Sequence, residues 1–157
     1  MKKYFLLFLL GIFLSNARAQ VVRSCDGRYS ARATGRAEML VEMDGKKLGV
    51  VKIDHGIDAG VFSLDGRSLV VYGVPNKIDF RGPQSEFLSI YLLRPKLNMI
   101  MERTYGGGIY DVAISSDQNS AFISSRFGFD IVDIKKLKIK SFDPISEPHF
   151  SRQQCKN

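Results

Sequence analysis

Apolar and polar positions along this chain alternate in short runs broken by tight turn signals. Residues 39–43 (Met-Leu-Val-Glu-Met) and 47–53 flank Asp44-Gly45. Asp-Gly between two such runs predicts a hairpin, because both turn positions favour positive φ. Residues 60–64 and 68–72 flank Asp65, Gly66 and Arg67, which predicts a second hairpin. Residues 110–114 and 120–124 flank residues 115–119 and predict a third. Helical periodicity is scarce beyond the first stretch of the chain. Strand runs recurring about every 8–12 residues indicate an all-β domain.

The second and third hairpins read as copies. Val61, Phe62, Ser63, Asp65 and Gly66 are matched by Ala113, Ile114, Ser115, Asp117 and Gln118. Each is followed by a further apolar strand pair, residues 87–92 with 97–101 and residues 129–134 with 137–142. The first copy carries an excess of residues between Tyr72 and Phe87. Each copy is thus four short antiparallel strands, the form of a propeller blade. Two such units and an N-terminal hairpin cannot close a ring, which takes at least about four blades. The expected fold is all-β and antiparallel, with two blade-like four-stranded units packed as a sandwich or a partly open barrel.

The start of the chain obeys a different pattern. Lys2 and Lys3 precede an apolar run over residues 4–14, and Ala17-Arg18-Ala19 follows. A basic start, a short apolar middle and small residues two apart make a secretory signal peptide. The run is shorter than the roughly 20 apolar residues that a membrane span takes. Residues 1–19 are therefore expected to be a signal peptide and residues 20–157 a single β-domain, exported to a Gram-negative periplasm. Cys25 and Cys155 are the two cysteines, and an even pair in an exported chain reads as a disulfide. The formal charge is +7, and removal of Lys2, Lys3 and Arg18 leaves a moderate positive balance. The basic residues are scattered. Lys138 and Lys140 alternate with Leu137 and Ile139, as on the wet face of a half-buried strand, and neither they nor the exported address favours nucleic acid.

Catalytic chemistry finds little support. His55 and His149 are the only histidines, and no G-x-S-x-G elbow accompanies them. Asp58, Asp65, Asp111 and Asp117 are available as acids, but they fall where turns commonly use aspartate. No metal-ligand spacing or cofactor motif is present. The chain reads as a binding protein and not an enzyme, with no cofactor. The segment over residues 73–86 is the longest non-strand stretch; Pro75 and Pro83 stiffen it, and stiffness lowers the entropy cost of binding. Phe80 within it is either a buried staple or an anchor offered to a partner. Gly106, Gly107 and Gly108 read as a flexible turn between the two copies.

The leader, the small β-domain with cysteines and the run Asp58-Ala59-Gly60-Val61-Phe62-Ser63-Leu64-Asp65-Gly66-Arg67-Ser68-Leu69-Val70 resemble one family. It is the periplasmic immunity proteins of type VI secretion cell-wall amidase effectors. The resemblance spans residues 58–142, and the strand around Leu88, Ser89, Ile90 and Tyr91 extends it. One cysteine pair, a longer loop and a basic balance depart from the family pattern. The resemblance implies that a polar loop enters the amidase cleft and occludes it. Here that loop corresponds to residues 76–85. It would offer Asn76, Lys77, Arg81 and Gln84, the acceptors Asp79 and Ser85, and Phe80 to a cell-wall-degrading effector enzyme. A propeller-like envelope binding module and a lysozyme inhibitor are the alternatives. Export is directly testable: protein recovered from the periplasm should begin at Gln20 by N-terminal sequencing, and a retained Met1 would contradict the leader.

Overall fold

The computed structural model of the chain describes residues 20–35, 37–77 and 81–155. The signal peptide expected over residues 1–19 lies outside them. Twelve strands run through the described residues. They are β1 (Val21–Arg23), β2 (Tyr29–Ala33), β3 (Glu38–Met43), β4 (Lys46–Lys52), β5 (Ala59–Phe62), β6 (Ser68–Gly73), β7 (Ser85–Leu92), β8 (Asn98–Gly106), β9 (Ile109–Ile114), β10 (Ser120–Ser125), β11 (Gly128–Asp133) and β12 (Lys138–Phe142). Consecutive strands pair into three four-stranded antiparallel sheets, β1–β4, β5–β8 and β9–β12. The all-β, antiparallel class and the blade-like units are as expected, but there are three units instead of two. The hairpin predicted over residues 39–53 is the outer half of a first blade whose inner half is β1 and β2. That half was hard to read because β1 has three residues and β2, Tyr-Ser-Ala-Arg-Ala, carries few large apolar side chains.

The sheets stack face to face. Their first strands, β1, β5 and β9, are neighbours and line the inner edge of an open arc. The middle blade buries both faces, so its strands are continuous apolar runs instead of alternating ones. Leu69 and Val71 of β6, with Tyr91 of β7, face blade one, where they meet Val22, Tyr29, Ala31, Met39 and Val41. Val70, Leu88 and Ile90 face blade three, where they meet Ile114, Ala121, Ile123 and Val132. At about 25 cal/mol per Å² of apolar surface, each of these large side chains contributes roughly 1.5–3 kcal/mol by full burial. One buried carboxylate also spans the second interface. Asp130 accepts from Tyr105 Oη at 2.8 Å and Ser141 Oγ at 2.6 Å, with Arg103 Nε at 3.3 Å. A buried charge satisfied from both sides fixes the relative position of two blades.

One turn recurs in all three blades. Ser24, Ser63 and Ser115 each donate a side-chain hydrogen bond to the aspartate two residues on, Asp26, Asp65 and Asp117. Each aspartate accepts the backbone N–H two residues further, from Arg28, Arg67 and Asn119, at 3.0 Å. Each serine Oγ also accepts the N–H of the first residue of the next strand, from Tyr29, Ser68 and Ser120. These side chains replace backbone partners that a tight turn cannot supply. The position after the aspartate is left-handed in each copy, with φ +70° at Gly27, +64° at Gly66 and +62° at Gln118. Gln118 takes this strain because its amide is engaged: Nε2 donates to Ser115 O at 3.0 Å and Oε1 accepts Leu64 N at 2.7 Å from the neighbouring blade.

The two outer faces of the stack are handled differently. Blade one presents Arg32 and Glu42 as an ion pair of 3.6 Å on its outer face. Blade three instead has Phe122 and Phe129 stacked there at 5.4 Å. The segment after β12 folds back over them. Phe150 packs on Phe122 at 5.2 Å, and the Arg152 guanidinium lies over the same ring. Arg152 also pairs with Asp111, and Gln153 donates to Phe62 O at 2.8 Å. Cys155 then closes a disulfide with Cys25, so the bridge expected from the cysteine count is present, with Cα atoms 5.3 Å apart.

The repeated turn gives a graded prediction. Gly27→Ala forces alanine into the left-handed region with open space around it, and should cost about 1 kcal/mol. Gly66→Ala carries the same strain and brings Cβ to 2.7 Å from Tyr29 Cε2. Tyr29 is buried and its hydroxyl accepts from Arg94 at 2.6 Å, so its ring cannot retreat freely. A total loss of roughly 2–4 kcal/mol is expected. Urea unfolding of both variants checks this, and equal losses would contradict the packing role of Tyr29.

Candidate protein-contact site

The insertion that distinguishes the middle blade from the third lies over residues 74–84, between its strands β6 and β7. Both of its feet are tied down. At the first foot, Gly56 N donates to Val74 O at 2.8 Å and Val74 N donates to Asp58 Oδ2 at 3.0 Å. Asn76 N donates to Asp54 O at 2.8 Å, and Asn76 Nδ2 donates to Ile53 O at 3.0 Å. Gly73 permits this approach, since a Cβ there would meet Gly56 O at 2.3 Å. At the second foot, Gly107 N donates to Gln84 O at 3.0 Å and Ser85 pairs with Gly106. Glu86 Oε2 accepts Ile109 N at 2.6 Å.

His55 sits beneath the first foot, bridged to Pro75. It is 1 % exposed. Nδ1 lies 2.6 Å from Gly56 O and Nε2 lies 2.8 Å from Ser89 Oγ. A carbonyl only accepts, so Nδ1 carries the proton and Ser89 donates to Nε2. Burial pushes the imidazole below its ordinary pKa, outweighing the Gly56 carbonyl bond and the carboxylates of Glu102, Asp58 and Asp54, which pull the other way. A neutral histidine enclosed with a buried serine cannot reach a substrate. Its role is to fix the linker that grips the loop.

Between the loop and blade three opens a cleft of about 730 Å³. Lys77, Pro83 and Gln84 line it from the loop, and Arg126 and Phe127 line it from the β10–β11 turn. Gly106, Gly107 and Gly108 form its floor. These glycines, expected to be a flexible turn, have a packing reason. A Cβ on Gly106 would meet Phe127 Cε2 at 3.3 Å, and one on Gly107 would meet Arg126 Cδ at 2.6 Å. The bare backbone is the bed on which the two side chains lie.

The expected contact residues are only partly gathered here. Lys77, Gln84 and Ser85 line the cleft. Asn76 is engaged in tying the loop to residues 53 and 54, and Arg81 is exposed and is not one of the cleft-lining residues. Asp79 and Phe80 lie outside the described residues. Sequence reading missed Phe127, which is 69 % exposed, and Tyr110, which is 65 % exposed. Both had a signal. Phe127 occupies a turn tip between two strands, where a ring cannot enter the core. Tyr110 precedes an aspartate on a strand whose register shifts at Ser124 and Ser125, a bulge that redirects its side chain.

The candidate acids are all engaged structurally. Asp65 and Asp117 belong to the repeated turns, and Asp117 is held below the usual carboxylate range by Ser115 and the Asn119 N–H. Asp58 caps Val74. Asp111 lies within β9 instead of a turn and pairs with Arg152. No cluster of three or more metal-ligating side chains occurs among the described residues.

No protein-family model matches the sequence, and no curated protein matches it either. Solved structures do resemble the fold. Hydrazine synthase of Kuenenia stuttgartiensis matches with a TM-score of 0.56 at 17 % identity, over 77 % of this chain and 34 % of that one. The β-propeller domain of Cps50 (Swd1) from Myceliophteria thermophila matches at 0.51 and 11 %, over 78 % and 40 %. A eukaryotic initiation factor matches at 0.57 and 12 %, over 79 % and 32 %. The chain thus spans between 32 and 40 % of these proteins' lengths. At such identities the likeness concerns the fold.

His55 yields a pH prediction. Its folded pKa lies below the unfolded value near 6.5. The unfolded chain therefore binds a proton that the native chain resists. This contribution is fully present above the unfolded value and is lost as pH falls from there towards the folded pKa, with a slope of up to about 1.4 kcal/mol per pH unit. Urea titrations between pH 8 and pH 5 should show that slope in wild type. His55→Gln should be less stable at pH 8 and should lack this component of the slope. A slope unchanged by the substitution would remove His55 as its source.

Proposed function

We propose that this chain is a periplasmic immunity protein that binds a peptidoglycan-degrading, amidase-type effector of type VI secretion and occludes its active site. The observation that carries the reading is the insertion over residues 74–84, held at both feet by the hydrogen bonds to residues 53, 54, 56 and 58 and to Gly107. A loop so fastened meets a partner with little further ordering cost. It also need not present a cleavable bond to fill a catalytic cleft. The engagement of His55 and the four candidate acids in structural bonds favours a binding protein over an enzyme. The Cys25–Cys155 disulfide fits an oxidising compartment, and the leader pattern over residues 1–19 narrows it to the periplasm.

A second reading, a propeller-like binding module within an envelope complex, is favoured by the likeness to propeller domains. The two part on whether an enzyme is silenced. Residues 77–83 are replaced by a short Gly-Ser bridge, and both proteins are titrated into the purified product of the adjoining open reading frame during digestion of purified sacculi. Wild type should stop the digestion. The shortened variant should melt within a few degrees of wild type and bind roughly 30-fold or more weakly, as for loss of a hot spot. Binding without inhibition favours the module. Wild-type inhibition retained by the shortened variant would overturn the loop mechanism.

A further inference from the structure

The cleft beside the insertion has features that an occluding loop alone does not need. Its far wall carries Phe127, an exposed ring laid on the glycine floor, and Arg126, whose stem crosses Gly107. Val74, 44 % exposed, lies across the cleft at the loop's first foot. An arginine beside an exposed aromatic ring is the composition of an interface hot spot. The charges of the lining are one-sided. Lys77 and Arg126 project as cations, while Glu86, the carboxylate among the lining residues, is turned to the Ile109 N–H.

We infer that this cleft is a receiving site. An acidic segment of the partner protein, carrying an apolar side chain beside its carboxylate, enters between the insertion and the β10–β11 turn. The apolar side chain rests on Phe127 and Val74, and the carboxylate meets Arg126 and Lys77. The inference rests on the proposed function and deepens it: the contact is reciprocal, with the loop entering the enzyme and an acidic enzyme segment entering this chain. A ring already extended in the free protein needs no rearrangement to be covered. The two cations draw an acidic segment at long range, which raises the association rate more than the affinity.

The test uses the whole secreted chain and the purified hydrolase encoded beside it, with Phe127→Ala, Arg126→Glu and the shortened-loop variant in parallel. Phe127 and Arg126 are exposed turn residues, so both variants should keep the wild-type melting temperature. Phe127→Ala should weaken binding by roughly 30-fold, independently of salt. Arg126→Glu should weaken it by roughly 10-fold or more in 50 mM NaCl and by clearly less in 500 mM, because an exposed pair is screened. A carboxylate-to-lysine change in the hydrolase should restore affinity to Arg126→Glu and not to Phe127→Ala. If both variants bind like wild type while the shortened loop does not, the receiving site is wrong and the occlusion reading stands. If wild type does not bind the hydrolase, both fall together.

Discussion

Every part of this structure depends on the need of a four-stranded sheet to cover two faces. A stack of three sheets has two internal interfaces and two outer faces, and the outer ones are where a stack fails. Blade one carries the Arg32–Glu42 ion pair on its outer face, in the same cross-strand row as Val21, Leu40 and Val50. Blade three keeps Phe122 and Phe129 apolar and draws the segment bearing Phe150, Arg152 and Gln153 across them. That segment has no sheet partner along most of its length. It is held by an isolated bridge between Ser115 and Arg152, by side-chain bonds, and by the disulfide to Cys25. The disulfide also carries the chain back to the first blade, so one covalent link fixes both ends of the arc. In the chain-entropy picture a loop of this length gives roughly 4–5 kcal/mol.

With the arc secured, the space for a functional device lies at its rim. The repeated Ser-x-Asp turns stand at the hairpins between first and second strands, where bond patterns are the same in each blade. The second and third strands of the middle blade are joined differently, by the insertion. Its first foot is gripped by the linker between blades one and two, and its second foot by the glycine connection between blades two and three. The insertion is thereby tied to both inter-blade joints. The two feet thereby share the rigidity of the stack, and the buried His55 beneath the first foot is part of that stiffness.

The cleft and the histidine separate two ideas that polar residues in a small domain tend to merge. His55 and Ser89 are chemically able groups placed where no solvent reaches them, and their hydrogen bonds are complete or nearly so. Phe127 and Tyr110 are aromatic rings placed where solvent covers them.

The sequence by itself determined the all-β class, the four-strand units after residue 59, the turn chemistry at Asp44-Gly45 and at Ser63 and Ser115, the pairing of the two cysteines and the position of the insertion. These are local signals. A left-handed turn position, a period-two alternation and an even cysteine count are each decided within a few residues or by compartment. Only the tertiary structure decided the rest. The first blade escaped notice, although Ser24, Asp26 and Gly27 repeat the turn, because β1 is three residues long and β2 carries few large apolar side chains. Asn76 read as a contact residue, yet its partner Ile53 lies on a different segment. Phe127 had no reading in the sequence, because its place depends on the glycine floor beneath it and the loop across from it. Such assignments depend on which distant segments meet, and that is settled by how the blades stack and not by any stretch of chain alone.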